Sequence, residues 1–237
     1  MILIGQIYIC PIFMFIILNI YQKSGNFVYL YSFNKPKVEV NIMNMKNLEI
    51  IYKAPNEFER IINSKKMKEV GKFPHYSFKD KVTSRLPMYS QYANTCTILN
   101  VNDTLVHLAP EQRGRNLLDE LANLVKKEQA EKGYASGFMI GGQRNDEASY
   151  ALSCDIATEL DKHGVDFSMI CGKTNTPKHA LDSLCKDGDR FIFTQEHNPE
   201  LEKLVREEKN PTSDRLQTIF QKFFDIVDIS SNHVLKK

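Results

Sequence analysis

Two residues in this sequence have the types and spacing to do chemistry. Cys96 and His107 lie in two β-rich runs, residues 96–101 (CTILNV) and 104–108 (TLVHL), separated by Asn102 and Asp103. A thiol with an ordinary pKa near ~8.5 is mostly protonated at neutral pH, and a neighbouring imidazole can take its proton to give a nucleophilic thiolate. The thiolate attacks a carbonyl carbon, the imidazolium protonates the leaving amine, and backbone N–H groups near the cysteine hold the oxyanion. A third group usually orients the base. Thr95, Ser90 and Gln143 are the nearby candidates, and spacing does not choose among them.

The pair depends on register. Asn102-Asp103 is a dipeptide of turn formers, so the runs form a hairpin. If those two residues alone make the turn, Ile98 faces His107 and Cys96 faces Ala109. Residues two apart on a strand share a face, as do directly opposed residues, so Cys96 and His107 become a diagonal pair about 7 Å apart at the backbone. A three-residue loop would put them on opposite faces.

The plainer interpretation is that both are packing residues, because free cysteine is among the most buried residue types and buried thiols are commonly inert. Cys154, on a helix, and Cys185, near a turn, read as structural. Cys171, at a strand end before Gly172-Lys173, is a secondary nucleophile candidate. Gly141-Gly142 has no GKS/T or GxGxxG pattern around it, which favours a close backbone approach over a phosphate turn.

The elements that must position these residues follow from periodicity. A strand is expected within 38–52, a short helix from Pro55 to about Ile62, and an irregular connection over 63–90. Leu117, Leu118, Leu121, Leu124 and Val125 give a helix over 114–132 that Gly133 ends. A strand at 137–140 follows. Ala148, Leu152, Ile156 and Leu160 mark a second helix that begins at Asp146-Glu147. Residues 165–171 and 190–194 are strands, residues 178–185 fit helix or strand, and Asp187-Gly188 favours a hairpin turn. At the end, 199–208 and 213–228 read as helices, the second with Leu216, Ile219, Phe220, Phe223, Phe224 and Val227 on one stripe that reads as core packing. This order suits a layered α/β domain with a mixed sheet.

Composition excludes some functions. The chain has 237 residues, 31 basic against 29 acidic, and no basic stripe interleaved with aromatics, so nucleic acid is not an expected partner. Its five cysteines include no CxxC pair, which argues against a disulfide framework and a zinc site. Residues 2–21 are nearly all apolar and about long enough to span a bilayer. They read either as an anchor, with Lys23, Lys35 and Lys37 leaving the main domain in the cytoplasm, or as residues upstream of a true start at Met43 or Met45. The expected organisation is an apolar segment at 1–42, an extension at 43–89, a core at 90–197 and C-terminal helices at 198–237. Membrane contact is expected only through 1–22.

The stretch 90–196 resembles the chemoreceptor glutamine deamidases, whose α/β/α fold is shared with the catalytic domain of cytotoxic necrotizing factors and related deamidase toxins. In that group the catalytic Cys sits on one strand and the His on the next, followed closely by Pro. Cys96, His107 and Ala109-Pro110 look like these residues, and the 114–132 helix, Gly141-Gly142, Arg144-Asn145 and the 165–172 strand recur in order. Members carry small Gly-Ser or Ser-Gly residues before the Cys, where this chain has Asn94-Thr95, and the Cys-to-His spacing is closer to the toxin-like members.

The resemblance implies an α/β fold with a layered α/β/α domain, a mixed β-sheet, and Cys and His on adjacent strands. It implies a cysteine hydrolase that removes ammonia from a glutamine of a protein substrate. Cys96 would be the nucleophile, His107 the base and acid, and Thr95 or Gln143 an assisting group, with no metal or cofactor. The substrate would be a bacterial chemoreceptor in chemotaxis, with a cytoplasmic enzyme, or a host protein met by a secreted effector. A catalytically inactive interaction domain of the same fold, binding a partner through its Phe-rich C-terminal helix, is the alternative.

Overall fold

Every residue of the two strands of the hairpin that carries His107 is buried, so the strands show no alternation of apolar and exposed polar positions. The computed structural model describes residues 49–53, 55–71, 78, 81–144, 146–172, 182–195, 198–207 and 213–229. Its strands are β1 (Glu49–Tyr52), β2 (Lys68–Glu69), β3 (Val82–Thr83), β4 (Met88–Ser90), β5 (Thr97–Val101), β6 (Thr104–Leu108), β7 (Ser136–Gly141), β8 (Asp166–Gly172), β9 (Ser183–Asp187), β10 (Arg190–Thr194) and β11 (Phe224–Ile229). The helices are α1 (Pro55–Lys65), α2 (Arg115–Lys132), α3 (Glu147–Lys162), α4 (Pro199–Glu207) and α5 (Ser213–Phe223). The chain is therefore α/β.

Where one mixed sheet is expected, there are two. A five-stranded sheet runs β1-β10-β9-β4-β2 and a six-stranded sheet runs β11-β8-β7-β5-β6-β3, each with parallel and antiparallel pairs. Met88, Leu184 and Phe191 of the first share one buried core with Ile98, Leu105 and Phe138 of the second. The Phe138 and Phe191 rings, one from each sheet, lie 4.8 Å apart. On the first sheet, Phe58 and Ile62 of α1 pack with Cys185 and Ile192. Helices α2 and α3 contact the second sheet.

The register of the β5–β6 hairpin is the one that a two-residue turn requires. Val101 pairs with Thr104 and Ile98 with His107. Asn102 takes the left-handed backbone, φ 46, which asparagine accepts more readily than most residues. Its buried amide also fixes the tip: Nδ2 donates to Glu128 Oε2 and to the Tyr134 carbonyl, both at 3.1 Å, and Oδ1 accepts from the Ser136 N–H at 2.9 Å. A one-residue slip would leave these groups buried without partners, at about 1–3 kcal/mol each. Glu128, itself buried, is held by Lys132 at 3.0 Å.

Three parts of the chain depart from expectation. Residues 63–90 contain β2, β3 and β4, which at two or three residues each are too short to show a two-residue period. The β9–β10 turn is Gly188-Asp189, one residue later than expected, because Asp187 already pairs with Arg190. The last helix ends at Phe223, and residues 224–229 form β11 antiparallel to β8. The run FDIVDI holds two isoleucines and a valine, which favour the pleated edge of a sheet over another helical turn. Phe223 and Phe224 are buried in the shared core. Among the described residues no helix is long and apolar enough to cross a membrane, and the 2–21 run lies outside them.

Candidate functional site

His107 lies in β6, opposite Ile98 and two residues from Leu105, and so faces the core shared by the two sheets. It is 0% exposed. Its Nδ1 lies 2.8 Å from Ser90 Oγ, on β4 of the other sheet. The Ser90 hydroxyl donates its single proton to the Val70 carbonyl at 2.6 Å. Ser90 can therefore only accept from the ring, so His107 is the Nδ1–H tautomer and Nε2 carries the lone pair. Burial pushes the imidazole pKa down to about 3. The ring is neutral at physiological pH, a base and not an acid at rest. Gly71 (φ 67) allows the chain to pass close by, since a Cβ there would collide with His107 Cβ.

Cys96 sits one residue ahead of β5 and belongs to the same core cluster as Ile98 and Leu105. It is 9% exposed. Burial first, and then the charge of Glu111, push its thiol up to about 11, against a hydrogen bond with Thr95 that lowers it. Burial is the largest influence on both groups, joined at the thiol by Glu111 and Thr95. At rest the thiol and the imidazole are each neutral.

The turn before Cys96 is built from two sides. The Cys96 N–H donates to the Ala93 carbonyl, which removes it from the backbone donors expected to hold an oxyanion. Gln143 Nε2 donates to the Asn94 carbonyl at 2.7 Å, and the Gln143 backbone N–H donates to Ser149 Oγ at 3.1 Å. The second N–H of the Gln143 amide is a donor left to this end of the sheet. The structure therefore brings Thr95 and Gln143 to the Cys96 turn, and Ser90 to His107. Glu111, on the 3-10 turn Pro110–Gln112 after β6, is the neighbour that sequence reasoning missed. The hairpin register was its available signal, since it puts Ala109 opposite Cys96.

Gly141 and Gly142 do make a close backbone approach. A Cβ on Gly141 (φ 132) would lie 2.5 Å from the Cys96 carbonyl oxygen and 2.8 Å from Thr97 Cα, both of them backbone atoms. Gly141→Ala is expected to cost about 1–3 kcal/mol from overpacking and to displace Cys96. Urea unfolding, together with the rate of Cys96 alkylation, checks this. A variant with wild-type values for both would show that the approach is looser than described. Cys171, Cys154 and Cys185 are buried, and burial pushes the Cys185 thiol up to about 12.

A cavity of about 410 Å³ opens at the far end of the hairpin, beside Asp103, Lys132, Lys186 and Phe191. Three of its charged groups pair with one another: Asp103 takes Lys132 at 2.7 Å and Lys186 at 3.5 Å. These pairs hold Asp103 below the usual carboxylate range despite its partial burial. Among the described residues no group of three or more His, Cys, Asp and Glu converges to hold a metal ion. No protein family, no curated protein and no solved structure matches the chain.

Proposed function

We propose that the chain is a cysteine hydrolase that deamidates glutamine side chains of a protein substrate. The observation that carries this reading is the His107–Ser90–Val70 relay, which holds the ring proton on Nδ1, on a hairpin whose register sets His107 and Cys96 on one face. Attack and proton transfer proceed together, because the thiol and the imidazole are both neutral at rest. The Cys96 sulfur bonds to the carboxamide carbon while its proton passes to His107 Nε2. That proton then goes to the leaving nitrogen, the C–N bond breaks, and ammonia departs from a thioester. Water, giving a proton to His107, adds to the thioester and expels the thiol, which takes the proton back and leaves glutamate. Thr95 and the Gln143 amide border the reacting carbon. A bacterial chemoreceptor or a host protein met by a secreted effector are the two substrate classes of this proposal.

Mass spectrometry tests it directly. Incubation with candidate substrates is expected to add ~1 Da per converted glutamine, and Cys96→Ala is expected to add none. Iodoacetamide is expected to label Cys96 faster than Cys154 or Cys185.

A second reading has its own observation, the depth of the thiol. A cysteine 9% exposed and pushed up to about 11 is what an inert packing residue looks like. On that reading the chain is an interaction domain, although Phe223 and Phe224 of its aromatic stripe are spent on the core. Equal labelling of Cys96, Cys154 and Cys185, with no mass gain in any substrate, would establish it over the hydrolase.

A further inference from the structure

At the end of the hairpin away from Cys96, the cavity of about 410 Å³ has the size of a small-metabolite site. Asp103 comes to it from the hairpin tip, Lys186 from β9 and Phe191 from β10, so both sheets supply its walls. A ligand there meets whatever polar groups the protein leaves unpaired. Asp103, Lys132 and Lys186 pair with one another, and Lys132 also holds Glu128.

Two charged groups of the wall remain. Arg85, between β3 and β4, and Asp189, in the β9–β10 turn, are exposed, and neither makes an ion pair among the described residues. Their signs are opposite. A third group lies deeper: Asn100 is 2% exposed and also lines the cavity. Its amide gives both hydrogens away, to the Asn102 and Thr104 carbonyls at 2.9 Å each. Its Oδ1 is left as an acceptor with no donor among the described residues. A buried acceptor costs free energy until something donates to it.

We propose that this cavity binds a zwitterionic amino acid with a neutral, hydrogen-donating side chain, of the glutamine or asparagine kind. The α-carboxylate pairs with Arg85 and the α-ammonium with Asp189, at the exposed rim. The side-chain carboxamide reaches inward and its N–H donates to Asn100 Oδ1. A neutral donor suits that depth, because an ammonium there would lose its hydration in exchange for one carbonyl dipole. A ligand with one charge would satisfy only one of Arg85 and Asp189 and face the other as a like charge. The site is separate from the Cys96 turn and stands without the hydrolase reading.

Binding to the full chain is measured by calorimetry with five probes. L-glutamine is the first. L-norleucine keeps the head group and loses the side-chain donor, N-acetyl-L-glutamine loses the ammonium, L-glutamine amide loses the carboxylate, and inorganic phosphate is a bare anion. A molecule of about ten non-hydrogen atoms at ordinary ligand efficiency binds at about 1 mM or tighter, which is the expectation for glutamine. Each of the three edited probes is expected to bind about tenfold more weakly or worse. Arg85→Gln and Asp189→Asn are expected to cause the same loss with glutamine itself. Both side chains are exposed, so both variants are expected to unfold in urea as the wild type does. Asn100 is probed through norleucine instead, because its amide ties down the hairpin tip.

The backbone amides of Gly137 and Gly188, which line the cavity, are expected to shift in nitrogen-15 spectra when glutamine binds, in wild type and in Cys96→Ala alike. No binding of glutamine, or binding that leaves both glycines unmoved, overturns the proposal. So does any edited probe that binds as tightly as glutamine, or binding of phosphate alone, which would make the cavity an anion site. Binding lost in Cys96→Ala would place glutamine at the thiol, and would overturn this site while supporting the hydrolase.

Discussion

Acidification from pH 6.5 to about 3 is expected to cost the domain roughly 4–5 kcal/mol through His107 alone. The sign follows from the buried ring. Its folded pKa, pushed down to about 3 by burial, lies below the unfolded value of 6.5, so the folded state binds fewer protons. Stability is fully present above pH 6.5 and falls by about 1.4 kcal/mol per unit as the pH drops toward 3. Domains of this kind have only about 5–15 kcal/mol in total, so this one group can decide acid unfolding. Carboxylates such as Asp103, held low by Lys132 and Lys186, add their loss only at lower pH. The measurement is urea unfolding at pH 7, 6, 5 and 4 for wild type and His107→Gln. Glutamine cannot titrate and can still donate to Ser90, so its stability is expected to stay nearly flat over that range. Parallel curves for the two proteins would mean that His107 is hydrated and not in the site described.

The same burial has a functional consequence. Burial that holds the imidazole neutral through the physiological range also makes it a weaker base, and Ser90 determines which nitrogen holds its lone pair. The cost in acid stability and the fixed tautomer are two readings of one environment.

Much of this was legible in the residues. The Asn102-Asp103 turn gave the register, and with it the face that His107 takes, because a two-residue period leaves no intermediate choice. Long amphipathic stretches gave α2 and α3 through their 3.6-residue period. The five-stranded sheet was not legible as a separate sheet, since β2 and β4 have too few residues to show alternation and form by pairing with partners distant in sequence. The turn from α5 into β11 was hidden because Phe223 and Phe224 fit a helical stripe and a strand equally well, and only the open edge of β8 decides between them. At the site, spacing offered Thr95, Ser90 and Gln143 as equals. They separate only when the five-stranded sheet brings Ser90 against the ring and leaves Thr95 and Gln143 with the Cys96 turn.

Ser90 therefore carries the sharpest kinetic expectation. Removing its hydroxyl takes away the acceptor of the Nδ1–H and frees the ring to place its proton on Nε2, where it can no longer take one from the thiol. General-base assistance contributes about 10²–10⁴-fold, so Ser90→Ala is expected to lower kcat by about 10²-fold or more with little change in KM. Ser90→Thr keeps the hydroxyl and is expected to recover all but about tenfold of the rate. A purely structural role for Ser90 would predict parallel losses of stability and rate, with no change of tautomer. Nitrogen-15 spectra of the ring separate the two, since the protonated nitrogen of His107 is expected to be Nδ1 in wild type and Ser90→Thr and mixed in Ser90→Ala. A folded Ser90→Ala protein with the wild-type tautomer and the wild-type rate would remove Ser90 as the positioning residue, and with it the observation on which the hydrolase assignment rests.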